Sequence, residues 1–303
     1  PKAALNLIPA TGEITGQYLV PDPRIAGVCF TGSTEVAQII NRSLAARDGA
    51  IVPLIAETGG QNAMIADSTA LPEQIVDDVI TSAFRSAGQR CSALRVLFVQ
   101  DGIADKVIEM LAGACRELSL GDPLDLATDI GPVIDKAALE MLDVHATRME
   151  SAGKKIAEVP LPAHLPKGYF FAPRAFEISD MSLLRREVFG PVLHVVRFRA
   201  EDLDGVIKQI NQSGYGLTFG VHTRIDHTMA DLCRRVRAGN CYVNRSMIGA
   251  VVGVQPFGGL GISGTGPKAG GPHYLPRFAT ERTVTVNTTA SGGNTTLVSL
   301  SED

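Results

Sequence analysis

The stretch IAGVCFTGSTEVAQIINRSLAARDGAIVPLIAETGG, residues 25–60, decides the fold. IAGVCF (25–30) has the length and apolar character of a short buried strand. STEVAQIINRSLAARDG (33–49) then reads as a helix closed by Gly49. Ser33 stands where an N-cap belongs, and Glu35 lies in the first turn, where a carboxylate complements the helix dipole. IVPLIAE (51–57) is the next apolar run, and it breaks at TGG. Strand, helix and strand in this order predict a parallel α/β sheet with ligands gathered at the strand C-termini.

The alternation continues outward. In LPEQIVDDVITSAFRSAG (71–88) apolar residues fall at 75, 76, 79, 80, 83, 84 and 87, with Pro72 at the start and Gly88 at the end, which predicts a helix. ALRVLFV (93–99) reads as a strand and ADKVIEMLAGACREL (104–118) as a helix with Cys115 in the core. A second series follows: a helix near 135–152, strands around 169–178 and 192–198, a helix over 201–212, a strand over 217–222, a helix over 227–238, and CYVN (241–244) as a strand. FGGLGISGTGPKAGG (257–271) is too rich in glycine to be regular. RTVTVNTT (282–289) alternates β-branched and polar residues, as an exposed strand seeking a partner would.

The chain has 303 residues, 45% of them hydrophobic, enough for about two domains with cores of their own. Its formal net charge is -4 and Lys and Arg do not cluster, which argues against contact with nucleic acid, where clustered cations must neutralise phosphates. No apolar run approaches the roughly 18–20 residues of a membrane helix. Five cysteines, at 29, 91, 115, 233 and 241, include no CxxC pair, so free thiols in a reducing compartment are expected. The six histidines show no ligand spacing, and no metal site is expected. GLGISG (259–264) matches the dinucleotide pattern G-x-G-x-x-G, but it runs into more glycine and a proline instead of opening a helix.

Three segments carry chemistry. In AGQRCSALRV (87–96) Cys91 follows a helix end and lies between Arg90 and Arg95, and a nearby cation lowers a thiol pKa. Local context alone leaves it open between a buried hydrophobe and a nucleophile. Glu57 ends an otherwise apolar strand, where desolvation raises a carboxyl towards the range of a general base; a salt-bridged glutamate at a sheet edge is the plainer alternative. REVFGPVL (186–193) places Glu187 and Phe189 beside a Gly-Pro turn, by itself an ordinary loop.

Together these segments resemble the aldehyde dehydrogenase superfamily. FTGSTEVA is similar to its cofactor turn, ETGGQN to its general-base segment, GQRCSA to its nucleophile segment, EVFGPV to its ribose-binding turn, and NRS with PFGG to its late active-site loop. The order agrees, and Cys91 follows Glu57 by 34 residues, as in the family. Ser92 directly after the cysteine, IGAVVGVQPFGG and GTGPKAGGPHYL resemble the L-glutamate γ-semialdehyde (pyrroline-5-carboxylate) dehydrogenase branch. The tail TERTVTVNTTASGGNTTL is similar to that of bifunctional proline-utilisation flavoenzymes.

The resemblance implies an α/β aldehyde dehydrogenase-like fold: a partial Rossmann-type NAD domain (1–56), a catalytic domain (57–244), a late active-site and substrate-anchor region (245–280) and a β-rich oligomerisation tail (281–303). It implies Cys91 as nucleophile and Glu57 as base. Gly32, Ser33, Thr58, Gly59, Glu187 and Phe189 would bind NAD. Arg90, Ser92, Gly249, Ala250 and Phe257 would hold the substrate. FAD would belong only to an upstream proline dehydrogenase domain of the same polypeptide, and the tail would join a homodimer. The implied location is cytoplasmic, with a peripheral place at the inner membrane open to the full-length protein. The family's oxyanion-hole asparagine and adenosine-side lysine lie upstream of FTGS, so the chain reads as an excerpt of a longer one. A CoA-acylating enzyme and a non-catalytic assembly module stay open as alternatives. Glu57 at the base position argues for water as acceptor, and Cys91, Glu57 and Glu187 together argue against decay.

Overall fold

The computed structural model describes residues 4–287. It opens with helix α1 (Gly12–Leu19), then the β1 (Val28–Thr31), α2 (Thr34–Ala45), β2 (Leu54–Glu57) unit read from the sequence. β1 and β2 pair in parallel, Val28 opposite Leu54 and Thr31 opposite Glu57. The elements are shorter than the apolar runs suggest. α2 is capped by Ser33, whose Oγ accepts from Val36 N at 3.3 Å, but it ends at Ala45 and not at Gly49. Gly49 turns the chain later, at φ +129°. The first strand begins at Val28 because Val28 N already bonds Pro53 O at 3.0 Å.

The larger layer is a seven-stranded sheet in the order β10-β9-β3-β4-β7-β6-β5. Its strands are β3 (Ala63–Ala66), β4 (Val96–Gln100), β5 (Lys154–Glu158), β6 (Arg174–Glu177), β7 (Val192–Phe198), β9 (Thr218–His222) and β10 (Asn240–Val243). All neighbours run parallel except β5, which is antiparallel to β6. Helices α3 (Pro72–Phe84), α4 (Asp101–Arg116), α5 (Lys136–Ala152), α6 (Leu203–Gln212) and α7 (Asp226–Arg235) supply the crossovers. A two-residue strand, β8 (Tyr215–Gly216), pairs with β11 (Leu260–Gly261) in a separate small ladder. The central strands β3, β4, β7 and β9 are buried almost throughout, as strands covered by crossover helices must be. Phe84, Phe98, Phe176 and Phe219 fill the core, and Cys115 is buried among apolar neighbours.

Two expectations change. The segment 169–178 forms a strand only over Arg174–Glu177, with Tyr169 in an isolated bridge to Val133. The tail strand expected over 282–289 does not form in its described part: residues 281–287 are irregular and exposed. The rest of the tail lies outside the described residues. α1, β3 and β5 had not been expected.

Candidate active site

The end of β2 and the glycine-rich segment 257–271 build the first half of the site. Glu57 pairs with Gly264 in an antiparallel bridge, and Thr58 is fixed by N to Ser263 O at 2.9 Å and by Oγ1 to Ile262 O at 2.6 Å. The Glu57 side chain enters a pocket made of glycines. Gly259 N donates to Oε2 at 3.0 Å, and a Cβ added at Gly258 or Gly264 would approach the carboxylate to 3.0 Å. Oε1 is buried and has no hydrogen-bond partner among the described residues. Burial pushes this carboxyl up to about 7, against the pull of the Gly259 N–H and the Lys268 charge. Lys268 itself is anchored through Nζ on Gly239 O and on Asn240 Oδ1. The GLGISG match therefore wraps the carboxylate of Glu57.

The second half begins where α3 ends. Ser86, Ala87 and Gly88 take φ of 56°, 52° and 63°, three left-handed residues in succession. Such backbone costs about 1–2 kcal/mol for each non-glycine residue, so the surroundings must hold it. Gly88 is required twice over, because a Cβ there would also strike the Gly190 carbonyl. The turn delivers Cys91, which is half-buried. Asn62 pins its backbone, Nδ2 donating to Cys91 O at 2.6 Å and Ala93 O at 2.9 Å, while Oδ1 accepts from Thr218 N at 3.1 Å.

Arg95 joins this turn to the EVFGPV segment. Nη1 donates to Gly88 O at 2.8 Å and Gly190 O at 3.0 Å; Nη2 donates to Arg90 O at 3.2 Å and Glu187 Oε1 at 3.1 Å. Its guanidinium lies 5.5 Å from the Phe189 ring centre. A Cβ on Gly59 would collide with the Glu187 carboxylate, so ETGG and EVFGPV meet face to face. Burial raises the Glu187 carboxyl in spite of Arg95.

The two arginines do not bring the Cys91 thiol down. Burial and the Glu187 charge push the thiol up, and Glu57 adds to this. Arg95 is committed to Glu187 and three carbonyls, and Arg90 is exposed with Nε on Ser86 Oγ at 2.9 Å.

Of the other residues singled out in the sequence, Gly32 and Ser33 are exposed at the N-terminus of α2, where free N–H groups favour an anion. A groove of about 730 Å³ runs from there between α2 and β2, lined by Thr34, Ala37, Thr58 and Ile262 among others. Ser92 is buried, its carbonyl accepting from Thr218 Oγ1 at 3.2 Å. Phe257 is half-buried and bridged to Ala269; Gly249 is exposed at φ +80° and Ala250 half-buried on the loop before it. Cys91, Ser92, Glu57, Thr58, Gly59, Glu187 and Phe189 thus form one connected group, whereas Arg90 and Gly249 stand at its exposed margin. Asn62 and Lys268 were missed as site residues, and Arg95 was read only as a cation beside Cys91. An arginine inside an apolar strand was the readable signal for Arg95, since a buried guanidinium demands acceptors.

The aldehyde dehydrogenase family profile matches residues 1–284. The chain is 54% identical over 290 residues to the bifunctional protein PutA of Escherichia coli, covering 93% of this chain and 22% of that protein. It is 35% identical over 289 residues to the 1-pyrroline-5-carboxylate dehydrogenase of Geobacillus thermodenitrificans, covering 94% of this chain and 55% of that one. Among solved structures, a variant of proline utilization A from Bradyrhizobium japonicum superposes with a TM-score of 0.92 at 62% identity, over 96% of this chain and 30% of that chain. A Thermus 1-pyrroline-5-carboxylate dehydrogenase with bound NAD gives 0.82 at 34% identity, over 88% and 52%. The chain thus spans about a fifth of its PutA relatives and about half of the dehydrogenases.

Proposed function

Because the chain belongs to the aldehyde dehydrogenase family, we propose that it carries the nucleophile and general base of an NAD-dependent L-glutamate γ-semialdehyde dehydrogenase and works within a longer polypeptide. The names of its PutA and 1-pyrroline-5-carboxylate dehydrogenase relatives support this substrate, since water opens pyrroline-5-carboxylate to the semialdehyde.

Glu57 carries the reading. A carboxyl held at about 7, with one oxygen buried and unpartnered, is suited to take a proton from water at neutral pH. The Cys91 thiol gives up its proton to solvent and Sγ attacks the aldehyde carbon to form a C–S bond, the Cys91 N–H supporting the oxyanion. NAD, when bound, supplies the acceptor for the hydride that leaves a thioester on Cys91. Glu57 then takes a proton from water as the water oxygen attacks the thioester; the C–S bond breaks, glutamate departs and the thiolate is restored.

The α2 N-terminus, with Gly32 and Ser33 exposed and Thr34 lining the groove, fits a pyrophosphate. Thr58, Gly59 and Glu187 would hold the ribose side, with Phe189 beside the nicotinamide. Ser92, Gly249, Ala250 and Arg90 would take the amino-acid end of the substrate, and Phe257 its aliphatic stem. The same reading divides the chain at residues 56, 244 and 280, and extends to an upstream FAD-bearing proline dehydrogenase domain, a homodimer through residues 281–303, and a cytoplasmic location. Among the described residues no helix is long and apolar enough to cross a membrane.

The test is NADH formation from glutamate semialdehyde and from pentanal, in this chain and in an upstream-extended one. Turnover in the extended form with preference for the semialdehyde is expected. Equal use of both aldehydes would remove the substrate-anchor assignment, and no turnover with an unreactive Cys91 would favour an assembly role.

A further inference from the structure

Tyr242 lies on β10 in register with Gly220 of β9, as Asn240 does with Thr218. In-register neighbours in a parallel sheet project to the same face, and residues two apart share that face. The Thr218 hydroxyl on this face bonds the carbonyl of Ser92, next to Cys91. Tyr242 therefore projects to the side of the sheet that holds the nucleophile, beside a strand position, Gly220, that has no side chain to cover it. Met247 and Met64 close in on Gly220.

Tyr242 is 5% exposed, and its hydroxyl is buried without a hydrogen-bond partner among the described residues. A buried phenol normally finds a partner, because leaving one without costs about 1–3 kcal/mol. Its surroundings are polarised. The Arg245 guanidinium lies 5.3 Å from the ring centre, and the phenol is close enough to Cys91 that a thiolate there opposes its ionisation, while Arg245 favours it. A donor polarised by a cation and within electrostatic reach of the reacting thiol suits an anionic acceptor.

We infer that Tyr242 is a specificity-determining residue of this site, its O–H donating to the carboxylate of an aldehyde held at Cys91. This rests on the proposed dehydrogenase reading. The phenol supplies a buried, unpartnered donor, and Arg245 supplies positive potential from the solvent side. An uncharged aldehyde leaves the phenol without an acceptor, so the residue discriminates against it.

The experiment compares wild type with Tyr242→Phe in the upstream-extended protein, using glutamate semialdehyde and pentanal. Phenylalanine keeps the ring under Arg245, and a thermal melt checks that the fold is retained. The ratio of kcat/KM for the semialdehyde over pentanal should fall about tenfold. A parallel fall for both aldehydes, or no change in the ratio, would overturn the inference. A second measurement needs no turnover: L-glutamate should slow iodoacetamide labelling of Cys91 in wild type and do so less in Tyr242→Phe. If wild type oxidises neither aldehyde, the dehydrogenase reading fails, and glutamate protection then decides on Tyr242 by itself. Equal protection in the two proteins, or none in either, counts against it.

Discussion

Arg95 Nη2 meets Glu187 Oε1 at 3.1 Å with the two side chains only 3% and 14% exposed, and the same guanidinium bonds the carbonyls of Gly88, Arg90 and Gly190. One side chain thus fixes both the left-handed turn that delivers Cys91 and the loop that delivers Glu187 and Phe189.

Arg95→Met should therefore be costly. It leaves a buried carboxylate without its cation and the Gly88 carbonyl without its side-chain donor, while the Gly190 and Arg90 carbonyls keep only the Val192 and Ala93 N–H groups. Removing one member of a buried pair typically costs about 3–5 kcal/mol. Urea unfolding measures this directly. The double variant Arg95→Met with Glu187→Gln should recover part of the loss, because the uncompensated charge is gone. A single variant within about 1 kcal/mol of wild type would show that the pair contributes little.

Glu187 also acts on the thiol. Its charge is, after burial, the main influence holding the Cys91 thiol above its ordinary range. Glu187→Gln removes that charge and leaves Arg95 nearby uncompensated, so the thiolate becomes easier to form. Iodoacetamide labelling of Cys91 should be faster at pH 8, with the rate's midpoint displaced to lower pH. A midpoint that stays in place or rises would mean that burial alone governs the thiol.

Glu57 should appear in the pH profile. A base with a carboxyl at about 7 works when deprotonated, so hydrolysis of the thioester should increase as pH rises through 7 and level off above it. Where that step limits kcat, kcat should follow the same curve. Glu57→Gln should lower kcat by about 10²–10⁴ and flatten the rise. A retained rise near pH 7 in this variant would assign the titration to another group.

Much of this was legible in the sequence, for identifiable reasons. β1, α2 and β2 announce themselves through apolar runs, the Ser33 cap and the break at TGG, all local signals. β3 was invisible because four residues, AMIA, are too few to show a period. β5 was hidden because its exposed lysines give no buried face to read. The ordered motifs pointed to Cys91, Glu57 and Glu187, which the fold brings together, but electrostatics could not be read from neighbours in sequence. Arg90 and Arg95 flank Cys91 along the chain, yet one points to Ser86 and the other to Glu187. Charge acts through space, so what a side chain meets in the fold decides where its charge acts. Likewise the Glu57 pocket is made by glycines about two hundred residues later, a closure no local pattern encodes.

The pair His145 and His194 gives the last prediction. Their Nε2 atoms are 2.9 Å apart in the core, His194 Nδ1 lies 2.9 Å from Arg95 O, and Arg148 Nη2 lies 3.2 Å from His145 Nδ1. A carbonyl only accepts, so His194 carries its proton on Nδ1 and accepts at Nε2. His145 must then donate from Nε2 and accept the Arg148 proton at Nδ1. Both rings are neutral, and a further proton on either would break a bond in the chain. Burial, helped by Arg148, lowers His145 to about 4; burial, His145 and the nearby arginines lower His194 to about 3. His222, also buried, is lowered to about 4. Unfolded histidines titrate near 6.5, so between that value and the folded ones the unfolded state binds more protons. These groups take nothing from stability above pH 6.5, and they erode it as pH falls through 6.5 towards 4 and 3, by up to about 1.4 kcal/mol per pH unit for each histidine. Melting temperature should drop over that window. By NMR, the ring signals of His145, His194 and His222 should stay unshifted between pH 8 and 5. A midpoint near 6.5 for His145 or His194 would mean that the chain of hydrogen bonds tolerates the extra proton, and the tautomer assignment would fall with it.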